Sequence, residues 1–190
     1  MSERVASALG SSEVDPGTFR RTMGLLVSGV TIISAHEPKT GLPRGMTANA
    51  VMSVSLTPAL VVVSVRRNAR LHRVLQTSGA YGVTVLGASQ VGLAKHFAGL
   101  SAATGEAGRE FAYRDGVPVL RRGLAWLVAR ITAAHEAGDH TLFLGEVTSL
   151  SVDDELEPPL AFHRSAFARL EPASTAGPGH AWETGLDVWG

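Results

Sequence analysis

The sequence of residues 44–55 is RGMTANAVMSVS, and the sequence of residues 137–147, about ninety residues later, is AGDHTLFLGEV. Both segments are predicted to be strands, yet small and hydroxyl-bearing residues stand where larger side chains would ordinarily fill a core. A strand rich in Gly, Ala, Ser, Thr and Asn leaves its amides and carbonyls within reach of a flat ligand. The two segments therefore predict a sheet protein that holds a ring against its backbone, without a metal or a covalent link.

The composition predicts one domain and excludes several classes of protein. With 190 residues, 45% of them hydrophobic, the chain can bury one substantial core. Seventeen basic and seventeen acidic residues cancel and form no blocks, so the charge pattern of a nucleic-acid-binding protein is absent. The chain contains no cysteine, which excludes disulfides, thiolate metal sites and thiol catalysis.

The sequence also argues against a membrane or secreted protein. The first fifteen residues lack the apolar run of a signal peptide, and no later segment approaches the ~20 uninterrupted apolar residues of a membrane span. Because the chain also lacks cysteine, it is expected to be a cytoplasmic protein with no membrane partner.

The hydrophobic pattern predicts mostly strands with a few short helices. A first helix begins after the N-cap Asp15 and ends at Gly29, and a second is capped by Asn68 and ends at Gly79. A third helix and a flexible loop are expected at residues 90–98 and 99–108. Predicted strands cover residues 30–35, 45–51, 59–65, 81–86, 124–134, 141–152 and 160–163, the first two forming a hairpin. Six or seven strands with few helices favour a closed β-barrel.

The two ends of the chain are predicted to lie outside the folded domain. Residues 1–14 are rich in Ser, Ala and Gly without an apolar pattern, and are expected to form a flexible arm. Residues 171–190 cannot bury enough apolar surface to fold alone, and are expected to form a flexible tail. Trp182 and Trp189 leave docking of that tail as an alternative. Residues 15–170 then form the single domain.

Several motifs occur in the order in which one known family carries them. They are Gly45 to Ala50, Ser53 to Ser55, Ser64 to Arg70, the Val117 to Leu120 turn, Ala125 to Leu127, Gly138 to His140 and Gly145 to Val147. On these residues the chain resembles the flavin reductase family, which has the FMN-binding split β-barrel fold. The resemblance covers about Phe19 to Phe167, and its specificity comes from several motifs in register.

The resemblance implies a function and a set of partners. Members of the family include the reductase components of two-component flavin monooxygenases. The implied protein is a homodimeric barrel that binds FMN or FAD, passes hydride to it from NADH or NADPH, and supplies reduced flavin to a partner monooxygenase. No GxGxxG motif opens a helix after a strand, so the pyridine nucleotide is expected to bind transiently over the flavin.

The first candidate site residues are expected to surround the flavin ring. Reduction places negative charge near flavin N1 and the C2 carbonyl, where backbone N–H groups along Thr47 to Asn49 would stabilise it. The alternative is a Thr/Asn turn that satisfies its own backbone. The candidate ring-binding residues implied by the resemblance are Met46, Thr47, Ala48, Asn49, Ser53 and Ser55.

A second group is expected to bind the flavin phosphate. Residues 64–70 carry a strand into a helix N-terminus, where free N–H groups, the helix dipole and an arginine make an anion site. The candidate residues are Ser64, Arg66, Asn68, Ala69 and Arg70. The family more often has a hydroxyl residue at the position of Ala69, so this chain is expected to rely on Arg70 and on backbone donors. The alternative is that these arginines are solvated surface charges.

His140 is the candidate side chain nearest to the reaction. It follows Gly138 and Asp139 at a strand start, so Asp139 is expected to orient the imidazole toward the flavin or the nicotinamide. Hydride transfer needs positioning more than proton chemistry, so His140 is expected to position or stabilise charge, and the alternative is a structural histidine. Phe97 is expected to fold over the nicotinamide and Arg164 to close one side of the pocket. The remaining histidines have no metal-binding spacing, so no metal is expected.

Two other functions stay open on the sequence. A pyridoxamine phosphate oxidase-like enzyme would need basic residues for a second phosphate, and only one anion cluster is recognised. A non-catalytic flavin- or haem-binding module on the same barrel is the other alternative, since an axial histidine in an apolar pocket would suit haem.

Overall fold

A computed structural model describes residues 14–101, 110–153 and 157–170 of the chain. Most of the predicted arm and the predicted tail, together with most of the predicted loop at 99–108, lie outside the described residues. Three α-helices are present in the described part: α1 (Pro16–Met23), α2 (Arg70–Ser78) and α3 (Val91–Phe97), with one 3₁₀ turn at Ala88–Gln90.

Twelve strands make up most of the described structure. They are β1 (Ser28–Gly29), β2 (Thr31–His36), β3 (Pro43–Ala48), β4 (Val51–Leu56), β5 (Ala59–Arg66), β6 (Ala80–Val85), β7 (Phe111–Arg114), β8 (Val117–Leu120), β9 (Ala125–Ala137), β10 (His140–Val152), β11 (Leu160–His163) and β12 (Ala166–Arg169). The predicted fold class, mostly β with a few short helices, is confirmed.

One seven-stranded antiparallel sheet organises the molecule. Its strand order is β3-β2-β6-β9-β10-β5-β4, so β3 and β4 are its two edges although they follow each other in the chain. The predicted hairpin of the first two strands is confirmed, because Thr31 pairs with Ala48 and His36 with Pro43. Strands β1, β11 and β12 form a second sheet, and β7 and β8 form a separate hairpin.

Two buried apolar clusters fill the interior. The first lies between α2 and the long sheet and includes Leu75, Tyr81 and Phe143. The second includes Ile32, Phe111 and Leu160, with α3 packed against it. The Tyr81 hydroxyl is fully buried, and its single proton is shared between the carbonyls of Val61 (3.1 Å) and Phe143 (3.3 Å). Burial raises the pKa of Tyr81, so the phenol remains a donor at neutral pH.

The prediction for the first helix is wrong at its C-terminal end. Asp15 caps the helix as expected, accepting from the Thr18 N–H at 2.7 Å, but α1 ends at Met23 rather than near Gly29. The Gly24 N–H still closes on the Arg20 carbonyl at 2.8 Å, while its own carbonyl accepts from Arg164 at 2.7 Å. That contact with the turn before β12 diverts the chain, and the apolar residues 25–27 are left exposed.

The strand predicted over residues 45–51 is two strands. The chain leaves β3 after Ala48 and enters β4 at Val51, on the opposite edge of the sheet. The same pattern of small, apolar and hydroxyl residues continues across the break, so periodicity could not locate it.

Two local predictions are also wrong. Asn68 does not cap α2, because Ala69 is the N-cap residue and makes no side-chain hydrogen bond. The predicted turn at 117–120 is strand β8, which pairs with β7 through a turn at Asp115 and Gly116. Both turn residues have positive φ (50° and 78°), and the Asp-Gly pair is a sequence signal typical of β-hairpins. Strand β12 was not predicted.

Candidate functional site

One end of the long sheet gathers several of the residues predicted to bind the ligand. There β3 and β5 end, β4 and β10 begin, and α2 starts. The Ala50 carbonyl accepts from the Ser64 N–H at 3.0 Å, which joins the crossing between the edge strands to β5. Arg66 and His140 are strand partners. The fold therefore brings Asn49, Ser64, Arg66 and His140 to the same end of the sheet.

His140 is held by a carboxylate. Its Nδ1 lies 2.6 Å from Asp139 Oδ1, and Asp139 Oδ2 lies 3.5 Å from the Arg66 guanidinium. The hydrogen bond from His140, followed by the charges of His140 and Arg66, lowers the pKa of Asp139, so this group is ionised at neutral pH. An ionised acceptor places the Nδ1 proton on the shared hydrogen bond and leaves Nε2 as the second polar atom of the ring. The side chain of His140 is 36% exposed.

Some residues predicted to surround a ring are engaged in contacts within the protein, and others remain exposed to a ligand. The Thr47 hydroxyl donates to the Ala94 carbonyl of α3 at 2.7 Å, so it is engaged by a distant helix and not by its own backbone. Asn49 is exposed and donates from Nδ2 to the Ser28 hydroxyl at 3.1 Å. Met46 and Ala48 pack against the first apolar cluster. Because β3 is an edge strand, no described strand pairs with its outer side, and backbone donors are available there.

Two glycines of the small-residue strands, Gly45 and Gly145, make room for side chains of the core. A Cβ on Gly45 would lie 2.8 Å from a ring carbon of Phe97 and 3.0 Å from Phe111. A Cβ on Gly145 would lie 2.7 Å from the Tyr81 hydroxyl and 2.8 Å from Ala129. The prediction that a ligand approaches the strand at these glycines is wrong, because the protein's own side chains occupy the space. Phe97 lies in the second cluster, edge-on to Phe111.

The predicted phosphate site contains arginines of two kinds. Arg66 pairs with Asp139 and Arg67 with Glu136, the latter at 3.6 Å. Arg70, the first residue of α2, has no ion-pair partner among the described residues. Asn68 and Ala69 form the turn that precedes the helix, in which the Ala69 N–H donates to the Arg66 carbonyl at 2.9 Å. Arg70 beside a helix N-terminus is therefore the available cation of this group.

A cavity of about 750 Å³ opens next to Arg70, and the sequence analysis did not predict it. Its lining residues come from α2 and from the β2–β3 hairpin: Glu37, Pro38, Lys39, Arg44, Arg70, Arg73, Val74, Gln76 and Thr77. The carboxylate of Glu37 accepts from the Thr40 hydroxyl at 2.8 Å and pairs with Arg44 at 3.0 Å. These hydrogen bonds lower the pKa of Glu37, which is therefore charged at neutral pH.

The last candidates lie further from this sheet end. Ser53 is exposed in the middle of β4. Ser55 pairs with Leu60 toward the other end of β4, and its hydroxyl accepts from the Thr57 N–H at 3.2 Å. Arg164 lies in the turn between β11 and β12 with φ of 49°. That turn follows Phe162, the strand partner of Ser28, and Ser28 in turn contacts Asn49.

Two further observations concern classes of site. Within residues 14–101, 110–153 and 157–170, no group of three or more His, Asp or Glu side chains is arranged to hold a metal ion. No helix in the described part of the chain has the length and apolar character needed to span a membrane.

Comparison with known proteins gives consistent matches over most of the chain. It is 41% identical over 161 residues to an NADH-dependent flavin reductase of Rhodococcus sp, covering 84% of this chain and 89% of that protein. It is 30% identical over 182 residues to the flavin-dependent monooxygenase reductase subunit HsaB of Mycobacterium tuberculosis, covering 94% of each. The solved structure of flavin reductase PheA2 matches with a TM-score of 0.78 and 36% identity, covering 84% of this chain and 100% of that one.

The structural match extends to the architecture. The solved neighbours are flavin reductases with the split-barrel fold, so the predicted split β-barrel is confirmed. The model of one family, described as flavin reductase like domain, matches residues 23–171, which include every predicted site residue. The chain belongs to the flavin reductase family.

Proposed function

We propose that this protein is an NAD(P)H:flavin oxidoreductase. It transfers hydride from NADH or NADPH to FMN or FAD and supplies the reduced flavin to a partner flavin-dependent monooxygenase. The observation that carries the proposal is the sheet end where an edge strand, the start of α2 and the Asp139–His140 pair meet. The Rhodococcus relative named as an NADH-dependent flavin reductase and the reductase subunit HsaB support it.

The donors at this end suit a flavin. The first N–H groups of α2 fit a phosphate, and so does the guanidinium of Arg70, which has no ion-pair partner in the described part of the chain. A helix N-terminus and an arginine both favour an anion. The outer side of β3 and the exposed Asn49 amide fit the polar edge of the ring. The flavin, when bound, supplies the two-electron acceptor. Ser64 and Arg66, on β5, hold this end of the sheet in register with β10.

His140 acts by position rather than as an acid or base. Asp139 fixes the orientation of the imidazole through Nδ1. The position of Nε2 is therefore set by the protein itself before any ligand binds. A group fixed in this way can hold the nicotinamide near the acceptor, or stabilise charge that develops there, with little reorganisation. Phe97 acts indirectly, because it supports β3 beneath Gly45. Arg164 and Ser55 are proposed to lie at the margin of the site, further from the reacting groups.

A second copy of the chain is proposed to cover β4. This edge strand exposes three large apolar side chains: Met52, Val54 and Leu56 are 60%, 47% and 68% exposed. Unpaired apolar edges favour pairing with another chain, and β4 begins at the candidate site. We therefore propose a homodimer whose interface adjoins the flavin site. Residues 15–170 are proposed as the functional domain, acting in the cytoplasm, where NADH is available.

Anaerobic mixing of the purified protein with NADH and FMN or FAD tests the proposal. We expect loss of oxidised flavin absorbance at a rate that increases with protein concentration. Flavin or haem binding without NADH-dependent reduction would instead support a non-catalytic module. The absence of both binding and reduction would overturn the flavin assignment.

The role of His140 needs a separate measurement. His140→Ala is expected to slow flavin reduction at saturating NADH by about 10- to 100-fold, with little change in flavin affinity. His140→Gln, which keeps a hydrogen-bonding amide, is expected to recover part of that rate. A lower melting temperature with an unchanged single-turnover rate would show that His140 is only structural.

A further inference from the structure

The cavity beside Arg70 is built by two segments far apart in the chain. Arg70, Arg73 and Thr77 stand at helical positions i, i+3 and i+7, so they form one face of α2 about 10 Å long. The opposite wall is the β2–β3 hairpin, with Lys39 at its tip and Arg44 at the start of β3. The cavity therefore extends from the start of α2 toward the hairpin.

The cavity concentrates positive charge in a chain with no net charge. Four cationic residues (Lys39, Arg44, Arg70 and Arg73) and one carboxylate (Glu37) line it, an excess of three positive charges by subtraction. Glu37 is engaged by Arg44 and Thr40, whereas neither Arg70 nor Arg73 has an ion-pair partner among the described residues. Arginines held together without acidic partners favour a bound anion, because their mutual repulsion is then relieved.

The size and the rest of the lining indicate more than a phosphate. A volume of about 750 Å³ falls within the range of organic ligand pockets, roughly 300–1,000 Å³. Val74 supplies apolar surface, Gln76 an amide and Thr77 a hydroxyl. Guanidinium planes stack on aromatic bases, and an amide can hydrogen-bond a base edge. The lining thus combines groups for phosphate with groups for a nucleobase.

We propose that this cavity binds the adenosine phosphate half of a flavin adenine dinucleotide, so that the protein prefers FAD to FMN. The inference rests on the proposed function, since the flavin half is taken to lie at the His140 end. Strand β3 runs from Arg44 in the cavity wall to Thr47 about 10 Å away, at ~3.3 Å per residue. With one phosphate at Arg70, the ring lies toward the sheet end and the adenosine toward the hairpin.

Binding measurements on two variants test the subsite. Dissociation constants of riboflavin, FMN and FAD are measured by flavin fluorescence for the full chain, for Arg73→Gln and for Lys39→Gln. We expect each variant to raise the ratio of the FAD constant to the FMN constant by about tenfold, as for one lost charge-assisted contact. Arg169→Gln on β12 is the matched control, because it removes the same charge from an exposed strand outside the cavity.

A probe for the adenosine half alone makes the test independent of turnover. Adenosine 5′-diphosphate is expected to bind the full chain in calorimetry and to displace FAD but not riboflavin, and Arg73→Gln is expected to weaken it. Equal losses for FMN and FAD, or no change for either, would overturn the subsite. An effect confined to the KM for NADPH would also overturn it, assigning the cavity to the pyridine nucleotide.

The two proposals fail separately. If NADH reduces none of the flavins while the FAD-to-FMN ratio still shifts in the variants, the subsite stands and the oxidoreductase function falls. If reduction proceeds but the ratio is unchanged, the function stands and the subsite falls.

Discussion

Strands β3 and β4 are the two edges of one sheet, yet the chain's own helices pack against only the first of them. Helices α2 and α3 both contact β3, and the Thr47 hydroxyl bonds directly to α3. β4 has no such cover among the described residues, and its apolar side chains Met52, Val54 and Leu56 are exposed. The comparison teaches that the chain's own helices cover side chains of one edge strand and leave the apolar side chains of the other exposed.

The side chains of the two strands explain the difference. Gly45 and Thr47 share one face of β3, where the absent Cβ of Gly45 admits Phe97 and a hydroxyl anchors α3. Arg44, Met46 and Ala48 share the other face, where Met46 and Ala48 meet the cluster under α2. β3 thus carries small groups that let helices approach. β4 carries large apolar groups that need a broad, complementary surface.

Charges placed on β4 should have the largest effect. The double variant Val54→Asp, Leu56→Asp is expected to raise the dimer dissociation constant more than about 100-fold, since it buries unpaired carboxylates at the interface. Sedimentation velocity measures the change. Leu100→Asp is the control, because Leu100 is 72% exposed on a segment after α3. If the native protein is monomeric at micromolar concentration, the proposal that a second copy of the chain covers β4 is wrong.

Loss of Arg70, at the start of the helix that packs on β3, should weaken phosphate binding without disturbing the sheet. Arg70→Ala is expected to weaken FMN binding by about 1.5–3 kcal/mol and to leave riboflavin binding unchanged, because only FMN carries the phosphate. Fluorescence titration with both ligands measures the difference, with Arg169→Ala as the control. Equal weakening of the two ligands would place the phosphate elsewhere.

Filling the space above Gly45 should cost less. Gly45→Ala is expected to lower the free energy of unfolding by about 1–3 kcal/mol, since the new Cβ overlaps Phe97 and Phe111. Phe97→Leu in the same chain should recover part of the loss. Gly92→Ala in α3 is the matched control: no neighbouring atom approaches its Cβ, so a small stabilisation of about 0.5–1 kcal/mol is expected. Chemical denaturation of the native protein, the two single glycine variants and the double variant measures these changes. An unchanged free energy of unfolding in Gly45→Ala would contradict the packing argument.

The smallest expected effect concerns the buried hydrogen bond between α2 and β10. His72 is buried with Nε2 2.8 Å from the Thr141 hydroxyl, and burial, reinforced by the charge of Arg67, lowers its pKa from 6.5. Below pH 6.5 the unfolded chain therefore binds a proton that the folded chain resists. Stability is expected to fall as the pH drops from about 6.5 toward the folded pKa, by at most about 1.4 kcal/mol per pH unit. His72→Gln should flatten that part of the profile of unfolding free energy against pH, and an unchanged slope would contradict it.

Local patterns predicted much of the fold. Asp15 and Gly79 mark real helix boundaries, and the predicted strands at residues 59–65 and 141–152 correspond to β5 and β10. What failed depends on distant partners. The crossing at Asn49 joins two edges that only the complete sheet defines, and α1 ends where its chain meets the turn at Arg164.

The candidate site divides in the same way. The pairing of Asp139 with His140 joins neighbours in sequence, and it was predicted from their adjacency. The cavity joins Lys39 and Arg44 to Arg73, about thirty residues along the chain. No spacing rule relates a hairpin tip to a helix face, so only the packing of α2 on β2 and β3 brings these charges together.

The charge around that cavity has different consequences for the association and the dissociation of an anionic ligand. Because the chain as a whole is neutral, an anionic flavin experiences little attraction from a distance. The local excess of positive charge acts only within a Debye length, ~8 Å at physiological ionic strength. Arrival is therefore governed by ordinary diffusion, while added salt should mainly shorten the residence time of the bound nucleotide. Charge at the proposed adenosine subsite is therefore expected to govern retention of the ligand rather than its capture.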